Sequence, residues 1–228
     1  MATIPHKLNL LRERIDAACN AVGRPENAVE LLAVSKTFDA DAVRQAHAAG
    51  QRAFGENYLQ EALDKQAQLA GLDLEWHFIG PIQSNKTRGI AENFHWVHGI
   101  ERLKIARRLS EQRPEELAPL NVCVQVNVSG EASKSGCAPA EALALCVAVA
   151  QLPRLRLRGL MAIPAPSAAA EDPRLPFRVL RELFESLRRA GLEVDTISAG
   201  MSDDLEAAIA EGSTLVRVGS GLFGKRTP

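Results

Sequence analysis

The chain has 228 residues, of which 46% are hydrophobic, and its 27 Lys and Arg against 28 Asp and Glu leave a formal net charge of -1. The balanced charge excludes a global field that would steer nucleic acid or an anionic membrane surface, so any anion must be caught by a local site. The length is ordinary for an α/β barrel, a fold that routinely forms one unit of about 200–250 residues, and a single domain over residues 1–228 is expected.

The first 23 residues, MATIPHKLNLLRERIDAACNAVG, mix charges into a helical period and hold neither a signal-peptide apolar core nor a membrane span. VELLAVSK (29–36) is a nearly continuous apolar run ending in polar residues, as in a strand covered on both faces. DADAVRQAHAAG (39–50) starts on a capping Asp39 and stops at Gly50, which predicts a helix. The strand-then-helix unit recurs. Further strands are expected within 51–55, 74–80, 94–100, 120–128, 155–163, 194–200 and 213–219, and helices within 58–70, 84–94, 101–112, 139–152, 173–190 and 202–212. Eight such units close naturally into a (β/α)8 TIM barrel carrying an extra N-terminal helix, whereas no G-x-G-x-x-G follows the first strand as an open dinucleotide-binding sheet would require. IPAPSAAAEDPRLP (163–176) is a candidate mobile loop, and the ten residues beyond Val218 are too few for another domain. The four cysteines (Cys19, Cys123, Cys137, Cys146) form no C-x-x-C pair and read as reduced thiols of a cytoplasmic protein.

Active groups of such barrels gather at the C-terminal ends of the strands. Lys36 follows Leu31, Leu32, Ala33 and Val34 there, where partial desolvation frees an amine for carbonyl capture; the plainer alternative is a lysine marking the strand's exit to solvent. Gly200-Met201-Ser202 and Gly219-Ser220-Gly221 fall after strands seven and eight, where barrels frequently hold a phosphate on backbone N–H and hydroxyl groups. Simple helix capping by Ser202 ahead of Asp203 and Asp204 is the alternative. Arg217 sits within LVRV, where an unpaired charge is costly, so a buried anionic or acceptor partner is expected, a structural carboxylate being the plainest choice. Asn57 offers an amide to a ring hydroxyl or phosphate, Tyr58 is the only tyrosine, and His77 is placed at the rim. The histidines lack H-E-x-x-H or related spacing, so no metal is expected.

Six motifs, LLAVSKT (31–37), FGENYLQE (54–61), WHFIGPIQSNK (76–86), RGLMAIPAP (158–166), GMSDDLEAAI (200–209) and VRVGSGLFG (216–224), span nearly the whole chain. Together they resemble the pyridoxal phosphate homeostasis protein family, itself similar to the N-terminal barrel of bacterial alanine racemases. The resemblance implies that Lys36 carries pyridoxal 5'-phosphate as an internal aldimine, and that Ser202 beside Met201, with the Gly219-Ser220 turn, holds the phosphate. It implies that Asn57 contacts the cofactor and that Arg217 faces its ring nitrogen. Position 220 is Ser where Thr is also familiar, a change that keeps the hydroxyl.

An Arg on the ring nitrogen leaves that nitrogen unprotonated and makes a weaker electron sink. Racemases of similar fold add a C-terminal β domain that builds the dimer and brings a tyrosine base, and no such domain is expected of this sequence. The expectation is therefore a non-catalytic, monomeric, cytoplasmic carrier acting in vitamin B6 homeostasis and meeting recipient apoenzymes transiently. The alternatives are an amino-acid racemase or other pyridoxal phosphate enzyme, using Lys36 on one face and Tyr58 or His77 on the other, and a Schiff-base aldolase for a phosphorylated sugar. Lys134, in S-K-S-G, is the competing rim amine.

Overall fold

A computed structural model describes residues 2–130, 135–164 and 172–224. Lys134 and residues 165–171 of the proposed loop lie outside the described residues. Helix α1 (Ile4–Ala21) begins with Pro5 in its first turn and a Thr3 hydroxyl that accepts from the His6 N–H. Strands and helices then alternate: β1 (Glu30–Val34), α2 (Ala40–Ala48), β2 (Ala53–Glu56), α3 (Leu59–Gln68), β3 (Glu75–Phe78), α4 (Thr87–Asn93), β4 (Trp96–Ile100) and α5 (Leu103–Gln112). They continue with β5 (Leu120–Gln125), α6 (Pro139–Ala150), β6 (Leu155–Met161), α7 (Leu175–Arg189), β7 (Thr196–Ser198), α8 (Leu205–Ala210), β8 (Leu215–Val218) and α9 (Ser220–Phe223).

The eight strands are parallel and close in sequence order, β1 pairing β8 with Leu32 opposite Arg217. The barrel and its extra first helix are those expected. Asp39 caps α2 through its side chain, accepting from the Ala42 N–H. The strands are shorter than the apolar runs that announced them: residues 194–200 supply only Thr196–Ser198. Helix α9 was not anticipated, because a Gly-Ser-Gly sequence reads as a turn.

The strand period of two sorts side chains into two cores. Leu31 and Ala33 of β1 face the helices, with Trp76, Phe78, Val97, Val122, Val124 and Val216. Leu32 and Val34 face the barrel interior with Ala53, Ile79 and Leu215, and Trp96, Cys123 and Met161 form a second inner cluster. The same alternation carries Arg217, two residues beyond Leu215, to the inside, and Lys36, two beyond Val34, to the inner rim. All four cysteines are free and buried, burial pushing the Cys137 thiol up to about 11 and that of Cys146 to about 12. Among the described residues no helix is long and apolar enough to cross a membrane, and no cluster of side chains suits a metal ion.

Candidate functional site

A cavity of about 230 Å³ opens at the C-terminal ends of the strands, and Lys36, Asn57, Met201, Ser202, Arg217, Gly219 and Ser220 all line it. Val34, Ile79 and Ile163 supply its apolar wall, and Asp203 stands at its edge. All seven residues expected at the site therefore reach one cavity.

The peptide carrying Lys36 is clamped on both sides. Lys65, reaching up from α3, is only 4% exposed and donates to the Ser35 carbonyl oxygen at 2.8 Å, to Glu56 Oε1 at 2.6 Å and to Glu61 Oε1 at 2.9 Å. The Ser35 hydroxyl donates to the same Glu56 oxygen at 2.6 Å, and the Thr37 N–H donates to Glu61 Oε1 at 2.6 Å. Thr37 itself takes a left-handed φ of 67°, a costly choice for a β-branched residue that the Glu61 contact helps to hold. Burial pushes the Glu56 carboxyl above the usual range, with Lys65 and Ser35 pulling it back. An ammonium whose three protons meet three acceptors is a fixture of the fold rather than a nucleophile. This clamp was invisible in the sequence, where Lys65 is simply the lysine of a polar helix.

Asn57 stands at the end of β2 with its buried Oδ1 lacking a hydrogen-bond partner among the described residues. It is held from behind by Gly80, where a Cβ would lie 2.4 Å from the Asn57 carbonyl oxygen. That close approach explains the glycine in WHFIGP.

On the far side, Gly200 turns at a φ of 97° and a Cβ there would lie 2.8 Å from the Ala208 Cβ. The Met201 N–H donates to Asp204 Oδ1 at 2.5 Å, and Asp204, not Ser202, occupies the N-cap position of α8. Simple capping by Ser202 is therefore corrected: its hydroxyl is not spent on that helix. Arg14 of α1 donates to the Ser202 carbonyl oxygen at 2.9 Å and pairs with Glu206 at 2.6 Å, so the extra helix anchors this turn. A Cβ on Gly221 would lie 3.3 Å from Ser202 Oγ, and one on Gly219 3.2 Å from the Val34 carbonyl oxygen. The two glycine-rich turns thus face each other beside Lys36's strand, with the first N–H groups of α9 left without helical partners by helix geometry.

Arg217 is 4% exposed. It donates to the Ser198 carbonyl oxygen (2.7 Å), Ser198 Oγ (2.8 Å) and the Ala162 carbonyl oxygen (2.8 Å). The buried partners are acceptors, as expected, and not the structural carboxylate of the plainer reading: no ion pair involving Arg217 is formed among the described residues. Burial pulls its pKa down to about 10, with the charge of Asp204 opposing. Three of five guanidinium protons are used, leaving two for an acceptor in the cavity. An orphaned amide oxygen, a buried guanidinium lacking a carboxylate and a nest of N–H and hydroxyl groups are complementary to a small anionic ring compound, so the residues present fit pyridoxal phosphate.

His77 is not at the rim. It is fully buried inside the barrel, stacked on Trp96 with ring centroids 5.3 Å apart, and both of its ring nitrogens are engaged. Tyr58 is 56% exposed at the start of α3 and lines a neighbouring cavity of about 270 Å³ that shares only Asn57 with the first. Neither of the expected second bases borders the Lys36 cavity.

Residues 7–227 match the family model described as alanine racemase, N-terminal domain. The pyridoxal phosphate homeostasis protein of Pseudomonas aeruginosa is 65% identical over 226 residues, covering 99% of this chain and 97% of that protein. PipY of Synechococcus elongatus, solved with PLP bound, is 39% identical and superposes with a TM-score of 0.84 over 97% of this chain and 100% of its own. An alanine racemase of Clostridium difficile, at 16% identity, shares the fold with a TM-score of 0.76 over 97% of this chain but 58% of its own. Full-length relatedness to the homeostasis proteins and a fold shared with one part of the racemases lead to one conclusion: the chain belongs to the pyridoxal phosphate homeostasis protein family, built on the alanine racemase N-terminal domain.

Proposed function

We propose that this chain is a single-domain carrier of pyridoxal 5'-phosphate, attached through Lys36 Nζ, that acts in vitamin B6 homeostasis without catalysis of its own. The observation that carries the reading is the cavity in which a lysine amine, a carboxylate-free buried Arg217 and the two glycine-rich turns converge. The relatives named for pyridoxal phosphate homeostasis, and the PLP-bound PipY, support the choice of ligand. When bound, the cofactor supplies an aldehyde that condenses with an amine with loss of one water.

In this reading Ser202 Oγ and the N–H groups of residues 219–221 hold the phosphate, Met201 covers the ring, Asn57 orients a polar ring substituent, and Arg217 donates to the ring nitrogen. Arginine keeps its proton, so the ring nitrogen stays unprotonated and the ring draws electrons weakly. The absence of Tyr58 and His77 from the cavity wall removes the two side chains best suited to a second proton transfer. The carrier works in the cytoplasm as a monomer and passes its cofactor to recipient apoenzymes in transient contacts.

One preparation tests the proposal. Incubated in heavy water with alanine and other amino acids, cofactor-loaded protein is expected to show no Cα exchange above a free pyridoxal phosphate control while losing cofactor to an added apoenzyme. Fast, saturable exchange abolished by Lys36→Ala would establish an enzyme instead, since even poor catalysts stand orders of magnitude above background.

A further inference from the structure

A chain of hydrogen bonds runs through the barrel from Arg217 at the cavity to Glu75 at the opposite end. Arg217 donates to Ser198 Oγ (2.8 Å), Ser198 Oγ meets His98 Nδ1 (2.8 Å), His98 Nε2 meets His77 Nδ1 (2.9 Å), and His77 Nε2 meets Glu75 Oε1 (2.8 Å). Ser198, His98 and His77 are wholly buried, whereas the Glu75 side chain is 42% exposed.

The ends dictate where every proton sits. A guanidinium only donates and a carboxylate only accepts. Ser198 Oγ therefore accepts from Arg217 and gives its proton to His98 Nδ1. His98 carries its own proton on Nε2 and donates to His77 Nδ1, and His77 donates from Nε2 to Glu75. Both imidazoles are neutral, and burial pushes both below the usual histidine range. The reverse orientation would set a bare His77 nitrogen against the Glu75 carboxylate, which its bond to His77 holds below the usual range. Trp96 and His95 lie beside Glu75 and help to hold its carboxyl down, the charges of Glu30 and Arg158 act on its surroundings, and Arg52 and Asp73 line the same cleft.

We infer that Glu75 is a remote positioning residue for the cofactor site, fixing the proton order and orientation of the Arg217 guanidinium through His77, His98 and Ser198. The inference rests on Arg217 facing the cofactor, as proposed above.

Two measurements test it. In the native cofactor-free protein, long-range 1H–15N spectra of labelled histidines should show His77 and His98 as neutral Nε2–H tautomers, and adding pyridoxal phosphate should move their nitrogens while leaving His6 and His47 in place. A charged His98, an Nδ1–H tautomer or unmoved nitrogens would overturn the relay. In loaded protein, Glu75→Gln should lower the pH midpoint of the visible band by roughly half a unit, a few-fold change in its protonation equilibrium, because an amide no longer polarises the hydrogen-bond chain that ends on Arg217. Glu75→Asp should restore the midpoint, and Glu30→Gln, a neighbouring carboxylate outside the chain, should leave it unchanged. An equal shift in Glu30→Gln, or none in Glu75→Gln while Arg217→Met moves the band, overturns the relay alone. If Arg217→Met leaves band and retention unaltered, or the wild-type protein takes up no pyridoxal phosphate, the cofactor reading falls with it.

Discussion

The ammonium of Lys65 lies 2.8 Å from the carbonyl oxygen of Ser35, so one buried lysine secures the backbone that presents another, Lys36, to the cavity. Lys65 is enclosed by Glu56, Glu61 and Ser35, whereas Lys36 lines an apolar-walled cavity beside Val34 and Ile79.

Hydride reduction of loaded protein followed by peptide mass analysis is accordingly expected to place the pyridoxyl group on Lys36. Label chiefly on Lys65 or Lys134 would contradict the assignment.

The clamp also carries stability. Lys65→Met strands the Glu56 carboxylate inside the protein, and removing one partner of a buried pair costs about 3–5 kcal/mol. Urea denaturation should register that loss, and should show a smaller one when Glu56→Leu accompanies Lys65→Met. A single variant within 1 kcal/mol of wild type, by about the scale of a surface pair, would mean the clamp is idle.

If Ser202 Oγ holds the phosphate, Ser202→Ala should weaken cofactor retention by about 1–3 kcal/mol without unfolding the barrel. Pyridoxal lacking its phosphate should then bind poorly to the wild-type protein in competition titrations. Equal affinity for the two forms would remove the phosphate from this turn.

Acid sensitivity follows from the interior histidines. His77 and His98 have folded pKa values below the ordinary 6.5, because burial disfavours their charged forms. As pH falls below 6.5 the unfolded chain takes up protons first, so stability present above that pH is lost below it, by up to about 1.4 kcal/mol per pH unit for each histidine. Denaturant midpoints measured between about pH 7.5 and 5.5 should fall on the acid side; a flat or rising profile would show that these histidines charge readily within the fold.

Much of the architecture was legible in the sequence because its signals are local. Apolar runs punctuated by Asp39 and Gly50 mark strand and helix limits, and eight repetitions leave a closed parallel sheet as the natural solution. The period of two along LVRV and LLAVSK places Arg217 and Lys36 inside and at the rim without further information.

Pairings across the barrel were a different matter. His77 looked like a rim residue because its motif continues into a rim loop, yet alternation with Trp76 and Phe78 turns it inward, toward His98. His98 in turn meets Ser198, 100 residues away, only because β4 and β7 face each other across the closed sheet. Ser202 lost its capping role to Asp204 two residues on, and Lys65 found Glu56 and Ser35 only once α3 had packed on the sheet. The sequence by itself determined the repeat, the strand faces and the residues at the rim, since these depend on neighbours a few positions apart. Only tertiary structure decided which polar groups satisfy one another in the interior, because burial makes each of them take whatever partner the closed barrel brings within about 3 Å.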